Sequence, residues 1–179
     1  TRQLDSDRLD QFDLIRLLAR VCRSTSQSLL IRIHPNILRA HRLEIRQWHQ
    51  LQEELKGNPI EFVWDPLVNT YDLIRTSSVT VVHNSTVGAE AVLLGRPVAY
   101  SGTPLWAGLD LGVSISSGSA ETIVRRFLAN PPQPNSYTRL RAADYLNYLH
   151  NYGFDTKHSH FSSSGFSITG QSLEVRPLK

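Results

Sequence analysis

VTVVHNSTVGAEAVLLGRPVAYSG, residues 79–102, decides how the rest of the chain is read. Val79 to Val82 is a β-branched run of the kind that forms a buried strand. The polar residues His83, Asn84, Ser85 and Thr86 follow at once. Ser85 or Thr86 is a natural N-cap for a helix over Val87 to Leu94, because a hydroxyl there can satisfy a free amide of the first turn. Gly95 stops that helix, and Pro97-Val98-Ala99-Tyr100 begins the next strand. Such a strand–turn–helix unit points unpaired amides and the positive end of the helix dipole into the turn, where a phosphate fits. Two readings of Ser85 and Thr86 therefore stand side by side: helix caps alone, or caps that also cradle an anion.

Outward from this unit the same alternation recurs. Ser6 can cap a helix reaching about Arg23, with Leu9, Phe12, Ile15, Leu18 and Cys22 on one face. Ser28 to Ile33 reads as a strand ended by His34-Pro35, and Arg39 to Lys56 as a helix stopped by Gly57. Ile60 to Trp64 is a strand ended by Asp65-Pro66, and Thr70 to Ser77 a short helix. Beyond residue 102, helices are predicted over Glu121–Leu128, capped by Ser119, and over Tyr137–Tyr152. Strands alternating with helices imply parallel crossovers, hence a Rossmann-like, doubly wound α/β sheet over residues 1–154. From Asp155 onward the pattern fades into a Ser-rich tail, residues 155–179, expected to be extended or partly disordered.

Composition narrows the class. A chain of 179 residues with 40% hydrophobic content is large enough for a full core, and a mean hydropathy of -0.26 fits a soluble protein. No apolar run approaches the eighteen or so residues of a membrane span, and no charged-then-apolar leader is visible, so a cytoplasmic setting is expected. The chain starts at Thr1 and contains no Met, which suggests that it begins inside a longer product. Cys22 has no partner for an internal disulfide and reads as core. The net charge is +3, with Arg16, Arg20 and Arg23 along one side of the first helix. That side is either a solvated face or one that meets phosphates, another domain or the inner, anionic face of a membrane. No aromatic-interleaved basic patch argues for nucleic acid.

Doubly wound sheets bind ligands beyond the carboxyl ends of their strands. Here those ends carry His34-Pro35-Asn36, Asp65-Pro66, His83-Asn84-Ser85-Thr86 and Ser101-Gly102. A residue before proline avoids the helical region, so His34 stays extended and its imidazole can reach over the sheet edge.

The segments IRIHPN and YDLIRTSSVTVVHNSTVGAEAVLLGRPVAYSG resemble the carboxyl-terminal half of the bacterial capsule polysaccharide biosynthesis family, which includes Kdo transferases of the two-domain GT-B fold. The likeness runs from about Leu29 to Leu109. The His-Pro pair followed by Ser-Thr and a Gly-x-Glu-Ala helix is also similar to CMP-sialic acid transferases. The resemblance implies one half of a GT-B glycosyltransferase, with a CMP-linked sugar as donor substrate and no separate cofactor. It implies that His34 and Pro35 meet the donor phosphate, together with Asn84, Ser85 and Thr86. It offers Glu90 for the ribose, and Asp65, Gly102 and Trp106 as base or sugar contacts. Glu90 also reads as an ordinary solvated carboxylate, and Trp106 as a core residue. The loose match of Ser101 to Leu109 to the family pattern weakens the last two assignments.

The implied partners are a nucleotide sugar, a glycan or glycolipid acceptor and an amino-terminal GT-B domain, with peripheral membrane contact as a further expectation. No metal site is expected, since His158-Ser-His160 lacks an acidic or Cys neighbour. The catalytic residues are unassigned, because that fold draws them partly from the other domain. A CDP-glycerol-type polymer transferase, a nucleotide-sugar epimerase-like domain and a non-catalytic nucleotide- or partner-binding module remain alternatives.

Overall fold

Two parallel sheets, one two-stranded and one three-stranded, are held together by a helix that packs on both. The computed structural model describes residues 9–151 together with the strands 159–162 and 165–168. Helix α1 (Gln11–Ser24) leads into β1 (Leu29–Arg32), then α2 (Arg42–Glu54) and β2 (Ile60–Val63). After these come α3 (Thr70–Thr76), β3 (Thr80–His83), α4 (Val87–Leu93), β4 (Val98–Ser101), β5 (Val113–Ser114), α5 (Ala120–Ala129) and α6 (Ser136–Asn151). Strands β1 and β2 pair in parallel, and β3, β4 and β5 form the second sheet in that order, also parallel. Strands β6 (Ser159–Ser162) and β7 (Gly165–Ile168) pair antiparallel as a hairpin.

Side-chain alternation puts helices on both faces, as expected of a doubly wound sheet. Val82, Val98 and Tyr100 face a cluster shared with Ile74 of α3, Ala89, Ala91 and Val92 of α4, and Ala142 of α6. Their sequence neighbours Val81 and Ala99 face the other way, against Leu14, Leu17, Leu18 and Val21 of α1 and Val124 and Phe127 of α5. The period of two along each strand thus feeds two separate cores. Ile15 and Ala19 of α1 pack instead with Ile31, Ile33 and the α2 residues Trp48 and Leu51. Each such Leu, Ile or Val contributes about 1.5–3 kcal/mol by leaving water, so α1 is the apolar wall common to both sheets.

Several expected boundaries shift for local reasons. Asp10, not Ser6, caps α1: its Oδ1 accepts the Asp13 amide at 2.8 Å, and Ser6 lies outside the described residues. Helix α2 begins at Arg42 because residues 35–39 form a separate 3-10 turn and His41 Nδ1 accepts the Leu43 amide. Gly95 does adopt the left-handed conformation, at φ 77°. Strand β5 was not foreseen. Residues 102–112 cross over to it without a full helix, and Trp106 fills the place a helix would occupy, wholly buried against Tyr100 at 4.8 Å between rings. Gly112 lets β5 approach, since a Cβ there would stand 2.6 Å from the Val98 carbonyl. The boundary at 154 and the His158-Ser-His160 reading fall wholly or partly outside the described residues. Among the described residues no helix is long and apolar enough to cross a membrane.

Candidate functional site

The turn after β3 is bound, residue by residue, to the segment after β4. His83 and Ser101 are register partners at the carboxyl ends of their strands, and His83 Nδ1 lies 2.8 Å from Ser101 Oγ. Asn84 takes a left-handed conformation, φ 49°, which asparagine tolerates better than most residues. Its Oδ1 accepts the Thr103 amide at 2.5 Å. Ser85 follows, and its carbonyl accepts the buried indole N–H of Trp106 at 2.9 Å. Gly102, at φ 75°, is required here, because a Cβ would press into the Asn84 side-chain amide.

This network sets the charge of His83. The Asn84 amide is oriented by its bond to Thr103, so Nδ2 is the end that faces His83 Nε2, at 3.4 Å. Nε2 is then the acceptor and Nδ1–H donates to Ser101, which describes a neutral imidazole. Burial pushes the His83 pKa below its ordinary value, and the Asp10 carboxylate pulls it part of the way back.

The two hydroxyls divide their work. Ser85 Oγ accepts the Val87 amide at 3.3 Å and supplies the cap, while the Thr86 side chain makes no capping bond and is exposed. The Thr86 amide has no hydrogen-bond partner among the described residues. Glu90, half-buried in the first turns of α4, faces Tyr71 of α3: its negative charge, then burial, then a side-chain hydrogen bond from the phenol raise the Tyr71 pKa. Tyr71 is an exposed aromatic beside a candidate ribose ligand. Sequence alone placed it only on a helix.

His34 stands at the end of the other sheet. It precedes the 3-10 turn that Pro35 opens, and its Nδ1 accepts the Asn36 amide at 3.1 Å. That bond requires an unprotonated Nδ1, so the neutral ring carries its proton on Nε2 and can donate outward. Asp65 Oδ1 caps its own loop through the Leu67 amide at 2.8 Å. Arg32, which periodicity did not single out, ties the two loops: its guanidinium donates to the carbonyls of Ile33 at 2.8 Å and Val68 at 3.2 Å.

Both strand ends lie toward the amino end of α1. That helix feeds β1 from its carboxyl end, packs through Ile15 on Ile33, and has its N-cap Asp10 near His83. The structure thus brings Asn84, Ser85, Gly102 and Trp106 into direct contact. His34, Pro35 and Asp65 stand on the neighbouring loops, with no hydrogen bond between the two groups among the described residues. Trp106 is the exception to its assignment: fully enclosed, it presents no face to a base or sugar. Among the described residues no group of three or more His, Cys, Asp or Glu side chains is placed to hold a metal ion.

The polar edge, with free donors from one turn and one imidazole, is suited to an anion flanked by a polar organic group. The family model described as capsule polysaccharide biosynthesis protein matches residues 5–152. Comparison with curated proteins and with solved structures yields no match.

Proposed function

We propose that this chain, which belongs to the capsule polysaccharide biosynthesis family, is the donor-nucleotide half of a GT-B glycosyltransferase. In this reading it acts in capsule or surface polysaccharide synthesis, with a CMP-linked, Kdo-like sugar as donor and a glycan or glycolipid as acceptor. An amino-terminal domain completes the catalytic site, and the enzyme works at the cytoplasmic face of the membrane. The observation that carries the reading is the turn 83–86, anchored from behind through the His83 and Asn84 side chains and the Ser85 carbonyl while the Thr86 amide and hydroxyl stay unspent among the described residues.

The chemistry fits that arrangement. When a sugar leaves its nucleotide, negative charge grows on the departing phosphate. Donors already fixed toward that charge stabilise the transition state without reorganising. Thr86 would supply an amide and a hydroxyl, and His34 a neutral Nε2–H donor. Glu90 would accept from a ribose diol, with Tyr71 and Asp65 bordering the nucleoside.

Calorimetric titration with CMP, UMP, CDP and UDP tests this reading. CMP is expected to bind selectively, and His34→Ala to weaken it by about tenfold, the value of a hydrogen bond to a charged group, with the melting temperature unchanged. Preference for a diphosphate would replace the CMP donor with a UDP- or CDP-linked one. Absence of binding to any nucleotide would overturn the donor-site reading of this chain.

A further inference from the structure

The two parallel sheets stop short of each other at β1 and β3. Among the described residues β1 pairs only with β2, and β3 only with β4, so neither sheet continues into the other. In a parallel ladder successive residues bond to opposite sides. The Leu29 and Ile33 amides donate to the carbonyls of Pro59 and Val63, which turns the Leu30 and Arg32 amides away from β2. The Thr80 and Asn84 amides donate to Pro97 and Ser101, which turns those of Val81 and His83 away from β4. Two open strand edges therefore stand in the middle of the fold. Burial follows the same division. Strand β4, with a neighbour on each side, is buried at every residue. By contrast β3 is buried only at Val82 and β1 only at Ile31, with Leu30 39% exposed.

Helix α1 lies across this seam. Leu14, Leu17, Leu18 and Val21 pack in one cluster with Val81 and Leu29, while Ile15 and Ala19 pack with Ile31 and Ile33. Its N-cap Asp10 acts on His83, at the carboxyl end of β3, and its own carboxyl end feeds β1. Helices α2, α3 and α4 each join one parallel strand to the next. A strand leading into α1 by the same right-handed crossover would run parallel to β1 and end between β1 and β3.

We propose that the seam is a slot for one parallel β-strand of the same polypeptide, joined to the amino end of α1. With the slot filled, the two sheets become one continuous doubly wound sheet, and the added strand stands where the strand order reverses. A strand in that position is covered on both faces and needs a nearly continuous apolar run. Residues 1–8 hold a single apolar side chain, Leu4, so the occupant lies further ahead in the polypeptide. Its carboxyl end would emerge between His34 and the turn 83–86, joining the two halves of the candidate site. None of this depends on which ligand that site takes.

Amide hydrogen exchange and a pair of fusions test the slot. In the unaltered chain the amides of Leu30, Arg32, Val81 and His83 are expected to exchange at least about a hundredfold faster than those of Ile31 and Val82. Equal protection would mean that β1 and β3 pair with each other, which overturns the proposal. One fusion places Val-Val-Ile-Val-Val and a short Gly-Ser linker ahead of Thr1. Its control carries Pro for the central Ile, since Pro cannot join the middle of a ladder. The first fusion is expected to protect the four amides and to raise the melting temperature by about 5 °C or more, as a monomer, and the control to do neither. If the unaltered chain does not fold alone, the first fusion and not the control is expected to restore a cooperative melt. Identical behaviour of the two fusions defeats the proposal. Protection of the four amides only in a dimer would make the seam an interface between copies, and defeats it too.

Discussion

The two strand ends that border the candidate site are built in opposite ways. At the end of β3, His83, Asn84 and Ser85 each reach across to Ser101, Thr103 and Trp106 in turn. At the ends of β1 and β2, the side chains of His34 and Asp65 accept from the amides of Asn36 and Leu67, each two residues along the chain. The candidate side chains of one half are held by contacts between distant parts of the chain; those of the other have local caps, and only the loop backbones are tied at a distance, through Arg32. The difference bears on the proposed donor site. A phosphate that gains charge is best served by donors that do not move, which the β3 turn would supply. In that reading His34 would join from a loop that settles around the bound ligand. Changes on the β3 side should therefore cost stability, and changes on the β1 side should cost affinity alone.

The strongest way to break the fixed half is from beneath. Gly88 packs its backbone against the Trp106 ring, and a side chain there would have to displace the indole. Gly88→Val should cost about 3 kcal/mol, the upper range for overpacking a dense core. In a chain of this size that corresponds to a fall in melting temperature of roughly 10 °C. A melt within about 2 °C of the unaltered protein would show that the indole yields easily and that the turn is not pinned by it.

How much of this was legible follows the same division. The strand–turn–helix–strand unit could be read because each step has a local signal: β-branched run, hydroxyl cap, Gly95 at the stop, Pro97 at the restart. His34 stood out because proline follows it. The tethers had no such signal, since pairs such as 84–103 and 85–106 depend on a fold that brings separate segments together. Trp106 carried an ambiguous one, because a tryptophan after a Pro-Leu pair suits a cleft and a core equally. Only its full burial decides. Strand β5 was missed because Val113-Ser114 is too short for any period. Asp10 displaced Ser6 as a cap because several polar residues near the start could cap, and the sequence offers no ranking among them.

A smaller effect comes from the charge of His83. Its pKa is lowered in the folded chain, chiefly by burial, so the folded form resists protonation more than the unfolded form does. The stability that the neutral ring supports is complete above the unfolded value, near pH 6.5. It is lost as the pH falls from there toward the depressed folded value. Protonation also sets Nε2–H against the Asn84 amide, so acid should loosen the fixed half specifically. Denaturant titrations from pH 7.5 to pH 5 should show this loss, and it should shrink in His83→Gln. The same acid loss in that variant would place the sensitivity in another group.

The smallest change sharpens the comparison from the β1 side, where α1 meets α2. Arg16 of α1 makes two parallel bonds to Glu54 of α2, at 2.8 and 3.0 Å, and a third to Asp13. The bond to Glu54 raises the Arg16 pKa and lowers that of Glu54. Both side chains remain well exposed, 39% and 48%, so solvent screens most of that attraction. Removing it with Glu54→Gln should cost no more than about 0.5 kcal/mol, and less in high salt. A melt in 0.05 and 0.5 M salt measures it, and a loss of several degrees that persists in high salt would mean that α2 depends on this pair. The pairing has a second consequence. It engages one of the three arginines along α1 and leaves Arg20 and Arg23 as the exposed cations for an anionic surface. Flotation with anionic vesicles should then be weak, and it should strengthen modestly in Glu54→Gln, where Arg16 is released.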